Sequence, residues 1–108
     1  MCGYDGSLHG YPAGIEAAHV RWHSQDGPDE VSNALALCAL HHRLFDLGAM
    51  GLTEDWTIRV SGLHASADPA GAAVTALDGL QLSLPHRREK AVATPRIAWH
   101  DRQVFKYV

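Results

Sequence analysis

No stretch of this 108-residue chain approaches the ~20 consecutive apolar residues that a membrane-spanning helix needs. Nor do its opening residues show the basic, apolar and small-residue order of a secretory leader, so a soluble cytoplasmic protein is the default expectation. Cysteine is scarce: Cys2 and Cys38 are the only two. A cytoplasmic setting disfavours pairing them, and a histidine close behind Cys38 favours metal instead. Positive charge is scarce as well. A formal net charge of −3 argues against a protein that coats nucleic acid, because neutralising phosphates takes clustered Lys and Arg. Arg87-Arg88-Glu89-Lys90 with Arg96 is the one basic cluster, and solvated surface charge accounts for it better than a binding role. Internal repeats are absent.

What is present suits one small domain with a modest core: 46% of the residues are hydrophobic, a share that argues against wholesale disorder. Residues 1–14 read as loop, with four glycines and the turn signal Asp5-Gly6. Ile15 to Val20 reads as a short strand, residues 21–32 as a long polar loop turning at Gly27-Pro28, and Ala34 to Cys38 as a second strand with Leu35 and Leu37 on one face. From Ala39 to Leu47 the spacing is helical, with Leu40, Leu44 and Leu47 as the apolar face and Gly48 as the C-cap. Further on, Trp56 to Val60 is expected as a strand, 65–76 as a surface loop, and Leu80 to Leu84 as a half-buried strand ended by Pro85. Residues 86–95 are expected to be polar and mobile, and Ile97 to Phe105 is compatible with helix or strand.

The chemistry-bearing residues crowd into fewer than thirty positions: His19, Asn33, Cys38, His41, His42 and Asp46. On the expected helix, His42 and Asp46 stand four apart and project from one face, which is ligand geometry for a single divalent ion. A mixed nitrogen and oxygen donor set suits Mg, Mn, Co or Ni. Cys38-Ala39-Leu40-His41 is a Cys-x-x-His pair at the strand-to-helix turn. A lone histidine or a lone His-x-x-x-Asp is weak evidence, since one histidine among eight is more often surface or satisfied core.

The order is more specific. Histidine, asparagine fourteen residues on, and histidine nine further, on a strand–loop–strand–helix frame, resembles the HNH nuclease family. The resemblance is strong over 15–48, in the stretches Glu16-Ala17-Ala18-His19 and Leu37-Cys38-Ala39-Leu40-His41-His42-Arg43-Leu44-Phe45-Asp46, and weak after 77. It implies an α+β fold with a ββα-metal core at about 15–48 and a C-terminal extension over 49–108. It implies an endonuclease that hydrolyses DNA phosphodiester bonds with a divalent ion, in which His19 activates water, Asn33 orients the loop or the histidine, and His42 and Asp46 hold the ion. Imidazole, which titrates near neutrality, suits the base.

Many relatives place a metal-ligating Asp, Glu or His just before the base. Here that residue is Ala18, which leaves a third ligand to be found among Glu16, His23 and water. Many also brace the strand-to-helix turn with zinc. Cys2, Cys38 and His41 would supply three of its four ligands, with Cys2 as the end of a pair whose earlier cysteine lies before Met1. Cys38 as a small buried hydrophobe is the plainer alternative. Relatives sharing these stretches, some of them McrA-like enzymes that restrict modified DNA, usually carry N-terminal DNA-recognition domains. The expectation is therefore an N-terminally truncated nuclease part that works with such a domain or as a homo-oligomer. Trp99-His100 and Val104-Phe105 resemble the end of that subgroup, with His100 a late contributor to the site or a packed histidine. A non-catalytic zinc-braced module is the competing reading, supported by the negative charge, the missing zinc ligand and Ala18.

Overall fold

The computed structural model describes residues 1–85, 87 and 90–107. Its centre is an antiparallel pair, β3 (Ile15–His19) and β4 (Ala34–Cys38), that runs directly into helix α1 (Ala39–Asp46). The pairing is uninterrupted from Ile15↔Cys38 to His19↔Ala34, and Val20 N–H adds one more rung by donating to the Asn33 carbonyl at 3.0 Å. Side chains alternate along such a pair. Ala18, Leu35 and Leu37 are buried on one face, while Ala17 and Ala36 are exposed on the other.

Helix α1 continues that buried face, although not through the residues its leucine spacing predicts. Leu40 and Leu47 are half-exposed, and the inward positions are His41 and Phe45, with Leu44 partly buried beside them. One turn separates His41 from Phe45, so the helix is rotated to seat an imidazole where a leucine was expected. The helix ends as foreseen at Gly48, which has φ +82°, in the left-handed region. A Cβ there would also stand 2.1 Å from the Val104 carbonyl oxygen, so this residue must be glycine for conformation and for space.

Before the centre lies a small hairpin within the expected loop 1–14: β1 (Ser7–Leu8) and β2 (Tyr11–Pro12), joined at His9-Gly10, both at positive φ as a two-residue hairpin turn requires. After the centre come β5 (Met50–Leu52) and its antiparallel partner β6 (Ile58–Val60). The strand expected from Trp56 starts two residues late. Trp56 closes a turn onto the Thr53 carbonyl with φ +61°, and its indole N–H donates to the Val92 carbonyl at 2.9 Å.

The expected strand Leu80 to Leu84 is reduced to one bridge, Thr57↔Gln81. The edge it meets is only three residues long and bends at Trp56, and of its leucines only Leu82 is fully buried. The expected loop 65–76 contains a helix, α2 (Pro69–Thr75). Asp68 caps it by accepting from Gly71 N–H at 2.8 Å, and Pro69 sits in the first turn.

Within 86–95, His86, Arg88 and Glu89 lie outside the described residues, and Arg88 is the one basic residue of the expected cluster among them. Ala91 and Val92 are buried rather than polar and free, and Ala93 N–H donates to the Ser32 carbonyl at 2.8 Å. The terminal segment is helical, α3 (Thr94–Gln103). No described helix is long and apolar enough to cross a membrane.

One core takes in both later strand pairs and all three helices: Ala18 and Leu37 from β3 and β4, Phe45 from α1, Met50 and Ile58 from β5 and β6, Val74 from α2 and Ile97 from α3. The β1–β2 hairpin stays exposed outside it. The C-terminal residues close it. Arg59 lies against the rings of Phe105 and Tyr107 at 4.7 and 4.8 Å and pairs with Asp101 at 3.0 Å. His100 is buried, stacked on Phe45 with ring centroids 3.7 Å apart, and its Nε2–H donates to the Phe45 carbonyl at 2.9 Å. Its Nδ1 has no partner, and burial pushes its pKa down to about 4.

His100 is thus a packed histidine. Its depressed pKa means that the unfolded chain binds the proton first, so stability is lost as pH falls from about 6.5 towards 4. Denaturant unfolding across that window should show a loss approaching ~3 kcal/mol from this group, and a shallower slope in His100→Gln. An unchanged slope would remove His100 as the cause.

Candidate active site and metal centre

Two histidines of the motif stand at the margins of the strand pair, each held by a carboxylate. His19, the last residue of β3, is half-exposed, and its Nε2 lies 2.6 Å from Oδ1 of Asp29 in the long loop. That hydrogen bond, with the nearby imidazoles of His19 and His23, keeps the Asp29 carboxyl below the usual carboxylate range. His23 packs edge-on against His19, ring centroids 6.0 Å apart. His42, on α1, is three-quarters covered. Its Nδ1 lies 2.7 Å from Oε1 of Glu16 on β3, and its Nε2 lies 3.3 Å from Oδ2 of Asp46 one turn on.

Asn33 touches neither histidine. It is fully buried, and its amide is spent on the loop. Oδ1 accepts from Arg21 N–H at 2.8 Å, and Nδ2 donates to the Arg21 carbonyl at 2.9 Å and the Pro28 carbonyl at 3.0 Å. The loop therefore folds back on itself at both ends of Asn33's reach, and Asp29 follows the pinned Pro28. Gly27 is part of this closure, since a Cβ there would stand 1.8 Å from the Arg21 carbonyl oxygen. Around His19, Asp29 and Asn33 the surface forms a cleft of about 320 Å³.

A third group lies at the N-terminal end of α1. The ligand atoms of Cys2, Cys38 and His41 all lie within 4.8 Å of one another. Both cysteines are free, and their sulfurs are 3.7 Å apart, far beyond a disulfide bond. A tetrahedral ion with Zn–S bonds of about 2.3 Å holds its sulfurs about 3.8 Å apart, so the spacing fits such an ion. Two further observations agree. His41 Nδ1 is buried without a partner, and burial lowers the His41 pKa, which favours the neutral, ligating imidazole. The donor set, two sulfurs and one nitrogen, is that of zinc, with one tetrahedral position left for a further donor.

The expected residues therefore form three groups: His19 with His23 and a loop carboxylate; His42 with Asp46 and Glu16; and Cys2 with Cys38 and His41. Ala18, at the position where relatives carry a ligand, is buried in the core and offers only a methyl. Asp29 was not anticipated. Its link to His19 is made by loop closure, and an aspartate ten residues downstream in a polar loop carries no spacing signal.

The sequence of residues 2–53 matches the model of the family described as HNH endonuclease. Among solved structures, that of the modification-dependent TagI restriction endonuclease is similar over 95% of this chain, with a TM-score of 0.66 and 24% sequence identity. The chain spans about a third of that protein's length, 32%. No curated protein matches the sequence.

Asn33→Ala should destabilise the fold by about 3 kcal/mol, because it strands a buried N–H and two carbonyls of the loop. Chemical denaturation measures this. A loss under 0.5 kcal/mol would mean that water replaces the amide and the loop does not depend on it.

Proposed function

We propose that this chain, whose residues 2–53 match the HNH endonuclease family, is the nuclease part of a restriction-type enzyme that cuts DNA phosphodiester bonds with a divalent ion. The observation that carries this reading is that each histidine of the motif is held at one ring nitrogen by a close carboxylate, while the other nitrogen makes no hydrogen bond among the described residues, that of His42 facing Asp46 at 3.3 Å.

Asp29 accepts the Nε2 proton of His19, so Nδ1 keeps its lone pair and takes a proton from the attacking water. The imidazolium formed in that step is stabilised by the same carboxylate, which is held ionised. His42 and Asp46 would hold the divalent ion, Mg, Mn, Co or Ni. When bound, that ion polarises the scissile phosphate and offsets the charge on the leaving oxygen. Asn33 keeps the loop closed so that Asp29 stays on His19. Cys2, Cys38 and His41 would hold a structural zinc that ties the N-terminal segment to the start of α1.

Recognition of the DNA target falls to a separate domain or to a second copy of the chain. The proposal places the chain in a reducing, cytoplasmic setting, where thiols stay available to a metal. A second reading, a zinc-braced module without catalysis, is favoured by one observation: among the described residues the Cys2–Cys38–His41 group is the one cluster with three metal-grade ligands in mutual reach.

Supercoiled plasmid with Mn²⁺ or Mg²⁺ tests the choice. Wild type should nick it, His19→Ala should lose ~10²- to 10⁴-fold in rate while staying folded, and Asp29→Asn should lose less. His42→Ala should weaken divalent-ion binding more than His19→Ala does. No nicking by a folded, metal-loaded wild type would favour the non-catalytic module.

Zinc has its own readout. Added Zn²⁺ at a hundred times its dissociation constant should stabilise the protein by about 2.7 kcal/mol, and Cys38→Ser should abolish that gain. Equal zinc stabilisation of the two proteins would remove Cys38 from the site.

A further inference from the structure

The ring of His42 stands between two carboxylates that are not equivalent. Glu16 Oε1 is 2.7 Å from Nδ1, the length of a charge-assisted hydrogen bond. Asp46 Oδ2 is 3.3 Å from Nε2, beyond the usual range for an N–H donor. A neutral imidazole has one N–H and one lone pair, and an ionised carboxylate can only accept. The proton therefore belongs on Nδ1, facing Glu16. The lone pair then falls on Nε2, on the side of Asp46.

We infer that Glu16 is the positioning residue of His42: it fixes the ring and its tautomer through Nδ1 and stays outside the coordination shell of the ion that Nε2 and Asp46 take. This deepens the nuclease reading and rests on it. The two ring nitrogens point away from each other, so an oxygen hydrogen-bonded at Nδ1 cannot share an ion with the Nε2 lone pair unless the ring turns. Glu16 is also well placed for a fixed role. It lies within β3, paired in register with Leu37, and on the same face as Ala18. The carboxylate absent at position 18 is thus supplied two residues upstream, where it reaches the far side of the imidazole and orients a ligand instead of being one. An outer carboxylate of this kind also raises the basicity of the ligating nitrogen.

The test uses the full chain loaded with zinc. Long-range ¹H–¹⁵N spectra report the His42 tautomer, and calorimetry with Mn²⁺ reports ion affinity. Glu16 is half-exposed, so its variants should fold. Wild type should carry the proton on Nδ1. Glu16→Gln, whose amide oxygen still accepts, should keep that tautomer and nearly all of the Mn²⁺ affinity. Glu16→Ala should lose the tautomer preference and weaken Mn²⁺ binding ~10- to 100-fold.

The inference is overturned if wild-type His42 is protonated on Nε2, if wild type binds no Mn²⁺, or if Gln and Ala weaken Mn²⁺ equally, as a direct ligand would. If tautomer and affinities follow the expectation while wild type leaves plasmid DNA intact, the nuclease reading falls and the role of Glu16 toward the ion stands.

Discussion

The side-chain amide of Asn33 spends all of its paired capacity on backbone, one N–H and two carbonyls of the loop between β3 and β4. Because the residue is fully buried, these bonds form away from competing water, where an unpaired amide or carbonyl is costly. The loop is also held by 3-10 turns at His23–Gln25 and Val31–Asn33, by bonds from Gln25 and Gly27 N–H to the Trp22 carbonyl and from Arg21 Nε to the Gln25 carbonyl, and by Ala93 N–H donating to the Ser32 carbonyl. Among the described residues, only the Asn33 side chain joins Arg21 to Pro28 across it. With Pro28 held, Asp29 is delivered to His19. An asparagine whose side chain bonds to neither histidine thereby holds the loop that brings Asp29 to His19 Nε2.

The histidines divide by environment rather than by count. His41 and His100 are buried, with lowered pKa values and an unpartnered Nδ1 each, so both are held neutral: one beside two sulfurs, the other stacked on Phe45. His19 and His42 are partly open to solvent, and each meets a carboxylate that selects a tautomer without closing the ring off. Four copies of the same side chain thus sit in four settings: one beside two sulfurs, one stacked in the core, and two at the surface against carboxylates. The differences come from the groups that surround each ring and how much water remains.

The central strands and helix were readable because local signals agreed there. Alternation in Leu35-Ala36-Leu37, helical spacing after Cys38 and Gly48 past the helix end all point one way. The inward face of α1 was misjudged because a core position belongs to His41, a residue whose type signals exposure and which is buried beside Cys2 and Cys38. Helix α2 was hidden by its Ala and Gly content, although Asp68-Pro69 is a proper start signal. Trp56 reads as a strand residue by propensity, but the Val92 carbonyl, thirty-six positions away, draws it into a turn. The same limit applies to the candidate site. His19, Asn33, His42 and Asp46 could be listed from their order, whereas the pairing of His19 with Asp29 is a product of loop closure.

The last turn of α1 is anchored from the far end of the chain. Phe45 receives a hydrogen bond from His100, the Gly48 carbonyl receives one from Lys106 N–H, and the Val104 carbonyl presses against Gly48. In mechanical terms the C-terminal segment is a strut whose foot stands on the helix that carries His42 and Asp46. A tug or torque applied near residue 106 reaches that helix without first passing through the β3–β4 pair.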